Sequence, residues 1–355
     1  MPEHTLTAVA LTAQARAVRR AVAQAPDAQT RSLVAAAADT MDAVARRRSH
    51  RKAVEAEAPV LVLDSNASST EVRAARQRRA VRRGQEVYLP SWREATVALP
   101  NALLRSALFS ASSLSREALF EAPIAAQGDV VLTLTGHQLC DYDRRVFAAC
   151  LNHYRDDRPL SRDEGLQAWV TLSFYQFAQD LGVAYGVKVH KAIRASLIRL
   201  SAAHLRVRIQ RRDIPLPRLL DVAFDDGIAE DAPDSALRGS DRVAFRVLEA
   251  MANLFGPETW SAVPQPALDH AGLTAWLASF YSSHAKPYPL KMLELYRLSG
   301  VTCELREFRR MVKTALGKLQ GESVDSEVRV ARYELVKDVL TVHLDRWERP
   351  SAALR

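Results

Sequence analysis

The chain contains little cysteine, and what it has is scattered. Only Cys140, Cys150 and Cys303 occur among 355 residues. Three thiols cannot form a disulfide framework, and none lies at the Cys-x-x-Cys spacing of structural zinc sites. We therefore expect reduced, buried thiols in an intracellular protein, and predict neither a metal site nor a cofactor.

Long hydrophobic runs are also missing. No stretch of about 20 apolar residues, the length that spans a bilayer, occurs anywhere in the sequence. The amino terminus lacks the compact apolar segment of a signal peptide. The sequence predicts a soluble, cytoplasmic protein that does not engage a membrane.

The motifs of nucleotide hydrolysis and of nucleophilic catalysis are absent. Gly317-Lys318 is followed by Leu319, so no phosphate-binding loop of the Gly-x-x-x-x-Gly-Lys-Ser/Thr type is present. No Gly-x-Ser-x-Gly occurs, and the histidines lack zinc spacing. We predict that the protein is not an enzyme.

Acidic residues are absent between positions 182 and 212, a stretch that carries eight Lys or Arg. Within it, apolar residues recur at helical spacing and predict one stripe: Val189, Ile193, Leu197 and Leu200. The cations are predicted on the other side of the helix: Lys188, Lys191, Arg199 and, at its margin, Arg194. Such a helix suits a groove lined by phosphates, with His190 interpreted as a groove-edge residue.

Aromatic residues are absent before Tyr88, and residues 1–88 are rich in Ala and Arg. This segment has 15 Lys and Arg against 9 Asp and Glu, which leaves +6 of the total net charge of +8. Few large apolar side chains are available to bury, although Ala favours helix. We predict a flexible, partly helical amino-terminal arm, either a solvated tail or a segment that docks a partner or touches DNA.

From residue 89 the pattern becomes that of a folded domain. Its predicted elements are a strand at 130–135, a helix capped by Asp141 or Asp143, a strand at 167–172, a helix at 174–181 capped by Ser173, the basic helix at about 187–202 and a strand at 205–211. This order predicts a winged helix-turn-helix. Six acidic residues follow between Asp221 and Asp234, interpreted as a solvated loop or as a DNA-mimicking brake.

The pattern repeats after Gly256-Pro257, where we place a domain boundary. Helices are predicted at 273–284, 290–298 and about 303–320, followed by strands at 327–335 and 340–347. Beside the apolar stripe of the third helix, four cations fall within an arc of about 100°: Arg306, Arg309, Arg310 and Lys313. The predicted fold class is α+β, with two tandem winged-helix domains at 89–255 and 256–355 after the arm at 1–88.

Several stretches together resemble the TrfA family of plasmid replication initiators. They are Leu89–Arg93, Ala98–Asn101, Arg105–Phe109, Phe174–Tyr175, Gln179–Gly182, Phe280–His284 and Pro287–Lys291. They occur in the family's order and cover most of residues 89–300. Residues 1–88, 114–127 and 221–234 depart from the family pattern, and Arg116–Phe120 only faintly resembles a clamp-binding pentapeptide.

The resemblance implies a specific role in plasmid replication. Such initiators bind direct repeats (iterons) in double-stranded origin DNA and help melt an adjacent AT-rich region, which exposes single strands. They help load the host replicative helicase beside the host replication initiator, and the sliding clamp is a further implied partner. Monomers bind the repeats, in equilibrium with less active dimers that serve copy-number control.

We expect nine basic residues to contact DNA: Lys188, Lys191, Arg194, Arg206, Arg208, Arg306, Arg309, Arg310 and Lys313. Arg306, Arg309 and Arg310 are assigned to base contacts, because Arg reads guanine edges bidentately. The residues assigned to phosphates are Lys188, Lys191, Arg206, Arg208 and Lys313. Two such units in one chain can occupy successive major grooves without a symmetric dimer, which suits direct repeats.

Three other functions stay open. One is a winged-helix repressor of a plasmid operon, which typically reads a palindrome as a dimer. Another is a DNA-processing enzyme, which the missing motifs disfavour. The last is a binding module whose basic arm recruits host proteins and whose DNA contacts are secondary.

Overall fold

A computed structural model describes residue 17 and residues 87–90, 92–93, 95–112, 118–155, 158, 160, 169–225, 236–256 and 258–348. The described residues from Val87 onward belong to one compact unit. The predicted arm lies almost wholly outside the described residues, and so do residues 226–235 of the acidic segment.

The helices are numbered along the described chain. They are α1 Asn101–Leu104, α2 Asp141–Asn152, α3 Phe174–Asp180, α4 Val187–Ala202, α5 Gly272–Ser282, α6 Met292–Ser299, α7 Leu305–Leu319 and α8 Asp345–Glu348. Short 3₁₀ helices occupy Glu249–Leu254 and Gln265–Leu268.

The strands form several small sheets. They are β1 Thr96–Pro100, β2 Phe109–Ser110, β3 Ala118–Ile124, β4 Val130–His137, β5 Leu139–Cys140, β6 Val170–Ser173, β7 His204–Ile209, β8 Arg212–Leu216, β9 Asp221–Asp225, β10 Arg242–Arg246, β11 Trp260–Pro264, β12 Leu290–Lys291, β13 Val330–Val336 and β14 Val339–Leu344. The sheet orders are β3-β4-β7-β8, β6-β10-β9 and β12-β14-β13, with β1-β11 and β2-β5 as two-stranded pairs. The chain is therefore a mixed α and β fold, as predicted at this coarse level.

Helix α2 presents the predicted core face: Val146, Phe147, Cys150 and Leu151 are buried, as is Tyr154 just after the helix. Its N-cap, however, is Cys140, because strand β5 runs directly into the helix. Asp143, in the first turn, accepts a hydrogen bond from the Cys140 backbone N–H at 3.0 Å. The N-cap residue is therefore Cys140 and neither aspartate, but Asp143 caps the helix from within its first turn, as one of the two predicted alternatives.

Helix α3 begins and ends where its sequence signals predict. The Ser173 hydroxyl accepts from the Gln176 backbone N–H at 3.2 Å, and Gln176 Oε1 accepts from the Ser173 backbone N–H at 3.0 Å. This reciprocal capping box satisfies two amide groups at the helix start. Gly182, just beyond the last turn, has φ +65°, which glycine adopts without steric cost.

Strand β7 alternates as predicted but pairs differently. Leu205 and Val207 are buried, whereas Arg206 and Arg208 are exposed. The strand pairs with β4 and β8, and strand β6 pairs instead with β10, which pairs with β9. Strand β7 follows the basic helix as predicted. Its role in a winged helix stays a prediction, because alternation fixes the faces of a strand and leaves its partners open.

The second half follows its predicted order closely. Helix α5, strand β12, helices α6 and α7, and the β13-β14 hairpin follow one another, and β12 pairs with β14. The segment after the Lys286–Pro289 turn starts with the short strand β12 before helix α6 begins at Met292. Gly300, with φ +65°, ends α6.

One hydrophobic core runs through both halves. It extends from Leu89 to Leu344 and includes the largest buried rings on either side of position 256. Strand β1, before that position, pairs with strand β11, after it, over five residue pairs. The predicted domain boundary at 255/256 stays a prediction.

Candidate nucleic-acid interface

Helix α4 is amphipathic in the way its sequence predicts. Ile193, Leu197 and Leu200 are fully buried, and Val189 packs against the same core. Lys188 and Lys191 are exposed to solvent. One face therefore anchors the helix, and the other presents cations.

Arg199 does not join that exposed face. Its Nε donates to the two carboxylate oxygens of Asp143 at 3.2 and 3.1 Å, and Nη2 donates at 2.7 Å. The Ser196 hydroxyl also donates to this carboxylate, at 2.6 Å. Since Asp143 is 0% exposed, its charge requires a paired cation. Arg199 thus ties α4 to α2, and the prediction that it faces the groove is wrong.

His190 is a core residue, and its interpretation as a groove-edge residue is also wrong. It is 0% exposed, and its ring stacks on Phe174 at 3.6 Å between centroids. Its Nδ1 lies 3.1 Å from the Tyr185 hydroxyl. The apolar stripe therefore includes one imidazole, which hydrophobic spacing alone does not reveal.

Arg194 is held beside strand β9. Its guanidinium carbon lies 4.5 Å from the centroid of the Phe224 ring, within the range of a cation–π contact. Phe224 in turn stacks with Phe174 at 6.4 Å. The basic helix and strand β9 are thus connected through a cation and two rings.

Arg206 and Arg208 lie on the exposed face of the β3-β4-β7-β8 sheet. Arg206 Nη2 donates to Asp213 Oδ2 on β8 at 3.0 Å. The opposite face of the sheet is buried in the core that α4 joins. The two arginines therefore point away from that core, and the predicted site divides into a helix part and a sheet part.

Helix α7 presents the second cluster of cations. Its predicted stripe is buried, apart from the half-buried first residue: Leu305, Phe308, Val312, Ala315, Leu316 and Leu319. Arg306 and Lys313 are exposed, and no residue in the described part of the chain forms a hydrogen bond or ion pair with either. Both cations are available to an anionic partner.

The other two arginines of α7 already hold carboxylates. Arg309 Nε and Nη2 donate to the two oxygens of Asp338 at 3.0 and 2.9 Å, which lowers the pKa of Asp338. Arg310 Nε donates to Glu307 Oε2 at 2.9 Å, and this pairing lowers the pKa of Glu307. Their assignment to base contacts stays a prediction.

The two basic helices share one register. When Ile193 is placed on Val312, four further core positions coincide, namely Val189 with Phe308, Ser196 with Ala315, Leu197 with Leu316 and Leu200 with Leu319. The buried His190 is the exception, because it falls on Arg309. In this register Lys191 falls on Arg310, and Arg194 falls on Lys313. These two positions therefore carry cations in both helices, whereas Lys188 falls on Glu307.

Neither a metal centre nor a membrane segment emerges from the described residues. No group of three or more His, Cys, Asp or Glu within them could hold a metal ion. Among the described helices, none is long and apolar enough to cross a bilayer.

Comparison with known proteins finds a family match within the chain. A family model described as TrfA protein matches residues 69–217. A relative from Escherichia coli, named plasmid replication initiator protein TrfA, is 27% identical over 244 residues. That match covers 66% of this chain and 59% of the relative. Residues 69–217 form a TrfA-family region. The predicted resemblance is confirmed.

Two crystal structures of RctB domains 2 and 3 also align with the chain. The first, of selenomethionine derivatives, is 12% identical and covers 70% of this chain and 99% of RctB domains 2–3, with a TM-score of 0.47. The second is 13% identical and covers 68% and 95%, with a TM-score of 0.44.

The TrfA-family region contains only part of the candidate interface. It includes helix α4 and strands β7 and β8, and with them these predicted residues: Lys188, Lys191, Arg194, Arg206 and Arg208. Helix α7, with Arg306–Lys313, lies beyond it. The case for α7 therefore depends on its geometry and its register with α4.

Sequence reasoning did not find the carboxylates that hold the arginines. Glu307 lies three residues before Arg310, a spacing that predicts a helical ion pair. Asp338 lies 29 residues from Arg309, and no local pattern connects them. Only the hairpin fold brings Asp338 to the basic helix.

Proposed function

We propose that the chain is a plasmid replication initiator that binds direct repeats in double-stranded origin DNA. The TrfA-family region supports this role, and so does the name of the E. coli relative. The observation that carries the proposal is the second basic helix, α7, which repeats five core positions of α4 and the cations at Lys191 and Arg194.

Each half is best interpreted as a winged helix. In the first, α2, β6, α3 and α4 are followed by β7 and β8 and then by β9 and β10, with β6 paired to β10. In the second, it is α5, β12, α6, α7, β13 and β14, with β12 paired to β14. The third helix of a winged helix enters the major groove, and here both third helices are the basic ones.

The distribution of charge supports a reader of duplex DNA. Lys188 and Lys191 on α4 and Lys313 on α7 are exposed cations, which suit phosphate contacts. Arg306 on α7 is also exposed, as its proposed contact with a base requires. With two helices and flanking residues, roughly 6 to 10 phosphates would be neutralised, giving a salt slope of about −5 to −9. Two readers in tandem within one chain suit repeats of the same direction, since an inverted repeat requires two-fold symmetry.

Later steps of initiation follow from the same proposal. After binding the repeats, the protein would help melt an adjacent AT-rich region, contact the exposed single strands and recruit the host initiator, the replicative helicase and the sliding clamp. A monomer binds the repeats, and a dimer limits copy number. No step requires catalysis by the protein itself, so we propose a cytoplasmic, non-enzymatic initiator.

The test begins with selection of a binding site from a library of randomised duplexes. Fluorescence-anisotropy titrations then compare the selected site as a direct repeat, as an inverted repeat and in scrambled order, across a salt series. We expect a monomer to bind the direct repeat tightly at moderate salt. Equal, salt-sensitive binding to all three duplexes would overturn sequence-specific recognition.

Two further results discriminate the alternatives. Preference of a dimer for the inverted repeat would favour a repressor of a plasmid operon. A shortened chain beginning at Glu86 tests the recruitment module and keeps Val87, whose carbonyl accepts from the Leu160 N–H at 2.8 Å. If this chain loses repeat binding, the preceding segment contributes directly to DNA contact.

A further inference from the structure

Arg309 of helix α7 is oriented by a carboxylate from outside its own helix. Asp338 belongs to the turn between strands β13 and β14, and its two oxygens accept from Arg309 Nε and Nη2 at 3.0 and 2.9 Å. This is a bidentate pair, which fixes the plane of the guanidinium as well as its position. The wing hairpin therefore determines where the arginine points.

Asp338 is itself firmly placed. Lys337 and Asp338 have φ values of 47° and 69°, as expected for a two-residue hairpin turn closed by the Val336–Val339 pair. The Asp338 carbonyl accepts from the Met292 N–H at the start of α6, at 2.8 Å. The carboxylate thus extends from a turn that is anchored to a second element.

The pairing leaves one edge of the guanidinium available. A guanidinium has five N–H donors, and Asp338 occupies only the edge formed by Nε and Nη2. No residue in the described part of the chain bonds to Nη1. The remaining Nη1–Nη2 edge is the one that can donate in parallel to O6 and N7 of guanine. Arg309 is 40% exposed, so that edge is within reach of a ligand.

We propose that Asp338 is a positioning residue that orients Arg309 for bidentate recognition of a guanine, and so sets the sequence specificity of helix α7. This inference depends on the proposed DNA-binding function. Pre-orientation reduces the side-chain freedom lost on binding. The neutralised pair also attracts phosphates less than an unpaired arginine does, which favours the specific site over other sequences.

The neighbouring pair Arg310–Glu307 supplies a matched control. It uses the same donor atoms, but Glu307 lies on the same helix, three residues earlier, and Arg310 is 73% exposed. Such an exposed i, i+3 pair is weak and follows its own helix. It has the charges of the Arg309–Asp338 pair without the anchor on the hairpin.

The test uses the full chain and a duplex that the parent protein has selected from a randomised library. Asp338→Asn removes the charge and keeps the size, and Asn is well tolerated at positive φ, so the fold should persist. We expect affinity for the selected duplex to fall about tenfold while affinity for scrambled DNA does not fall. Glu307→Gln should change the affinity by less than about threefold.

A second measurement isolates the contact itself. Replacing single guanines in the selected duplex with 7-deazaguanine removes the N7 acceptor. At one such position, the replacement should lower the affinity of the parent protein for the duplex. The same replacement should leave the affinities of the Arg309→Ala and Asp338→Asn variants unchanged. In the Arg309→Ala background, Asp338→Asn should cause no further loss, because Asp338 acts through Arg309.

The outcomes are distinct. Tighter or unchanged binding of the selected duplex by Asp338→Asn would overturn the inference and identify Asp338 as an electrostatic brake or a bystander. Additive losses in the double variant, or an equal loss from Glu307→Gln, would also overturn it. If the parent selects no sequence at all, the proposed function fails, and this inference fails with it.

Discussion

At the residue scale, arginines that occur in similar sequence contexts have different structural environments and roles. Arg199 neutralises a fully buried carboxylate, Arg194 stacks on a ring, and Arg306 faces solvent. Their immediate neighbours in the sequence do not distinguish them. What separates them is the presence of Asp143 or Phe224 nearby in the fold, and each partner comes from a distant element.

The Asp143–Arg199 pair leads to a prediction about stability. Arg199→Ala would leave Asp143 buried without a counter-charge, which costs about 3–5 kcal/mol of unfolding free energy. Lys188→Ala, at an exposed position of the same helix, should change that free energy by less than about 0.5 kcal/mol. Urea denaturation of both variants measures the difference. Equal effects would mean that the pair is not needed to hold α4 on α2.

His284 leads to a prediction about pH. It is 8% exposed, stacks on Tyr288 and contacts the Phe280 ring at a tilt of 52°. Its Nδ1–H donates to the Phe280 carbonyl at 2.8 Å. Burial, with the nearby Arg105 cation, lowers the pKa of His284 to about 4. Between pH 6.5 and about 4 the unfolded chain therefore binds a proton that the folded chain does not.

Stability should consequently fall as the pH is lowered through that interval. The contribution of His284 to the slope approaches about 1.4 kcal/mol per pH unit and is absent above the unfolded pKa. His284→Gln removes the titration, so its unfolding free energy should depend less steeply on pH there. Parallel denaturation series at several pH values test this. Identical slopes for parent and variant would show that His284 titrates alike in both states.

At the element scale, the sequence predicts what depends on local periodicity and capping. The apolar stripe of α7, the capping box at Ser173 and the turn at Gly182 all lie where expected. Strand β7 shows the limit: its alternation predicts two faces, but its partners β4 and β8 depend on the whole sheet. The candidate site shows the same limit. The sequence predicts which helix positions carry its cations, but it does not predict the carboxylate of Asp338, which comes from a distant hairpin.

Substitution of two glycines, one before the second basic helix and one inside it, should change the free energy of unfolding in opposite directions. At Gly300, φ is +65° and an added Cβ would lie 2.8 Å from Ser110 Oγ, so Gly300→Ala should cost about 1–3 kcal/mol. At Gly317, inside α7, an added Cβ meets nothing within 4 Å. Gly317→Ala should therefore stabilise the protein by about 0.5–1 kcal/mol. Thermal unfolding compares them, and a shift of the same sign in both variants would contradict this reasoning.

At the scale of the whole molecule, the two halves are connected by more than a linker. They share a core, β1 pairs with β11, and the Ser110 hydroxyl of the first half donates to the Gly300 carbonyl of the second at 2.8 Å. Arg105 Nε also donates to Ser283 Oγ at 2.9 Å. Gly300 lies in the turn that precedes α7, so the Ser110 contact fixes where the second basic helix begins relative to the first half.

A fixed spacing between α4 and α7 makes a prediction about DNA. If each helix occupies one groove, an insertion of about 5 base pairs between the two contacted segments rotates them by half a turn. Because the halves are joined through the core, the protein cannot follow that rotation, and affinity should fall to that of a variant lacking the Arg306 and Lys313 side chains. An insertion of about 10 base pairs restores the rotation but not the distance, so binding should stay weak. Footprinting and anisotropy on the three duplexes test both expectations. Full affinity on either lengthened duplex would show that the halves move independently, and the contacts around Ser110 and Arg105 would then have to open when DNA binds.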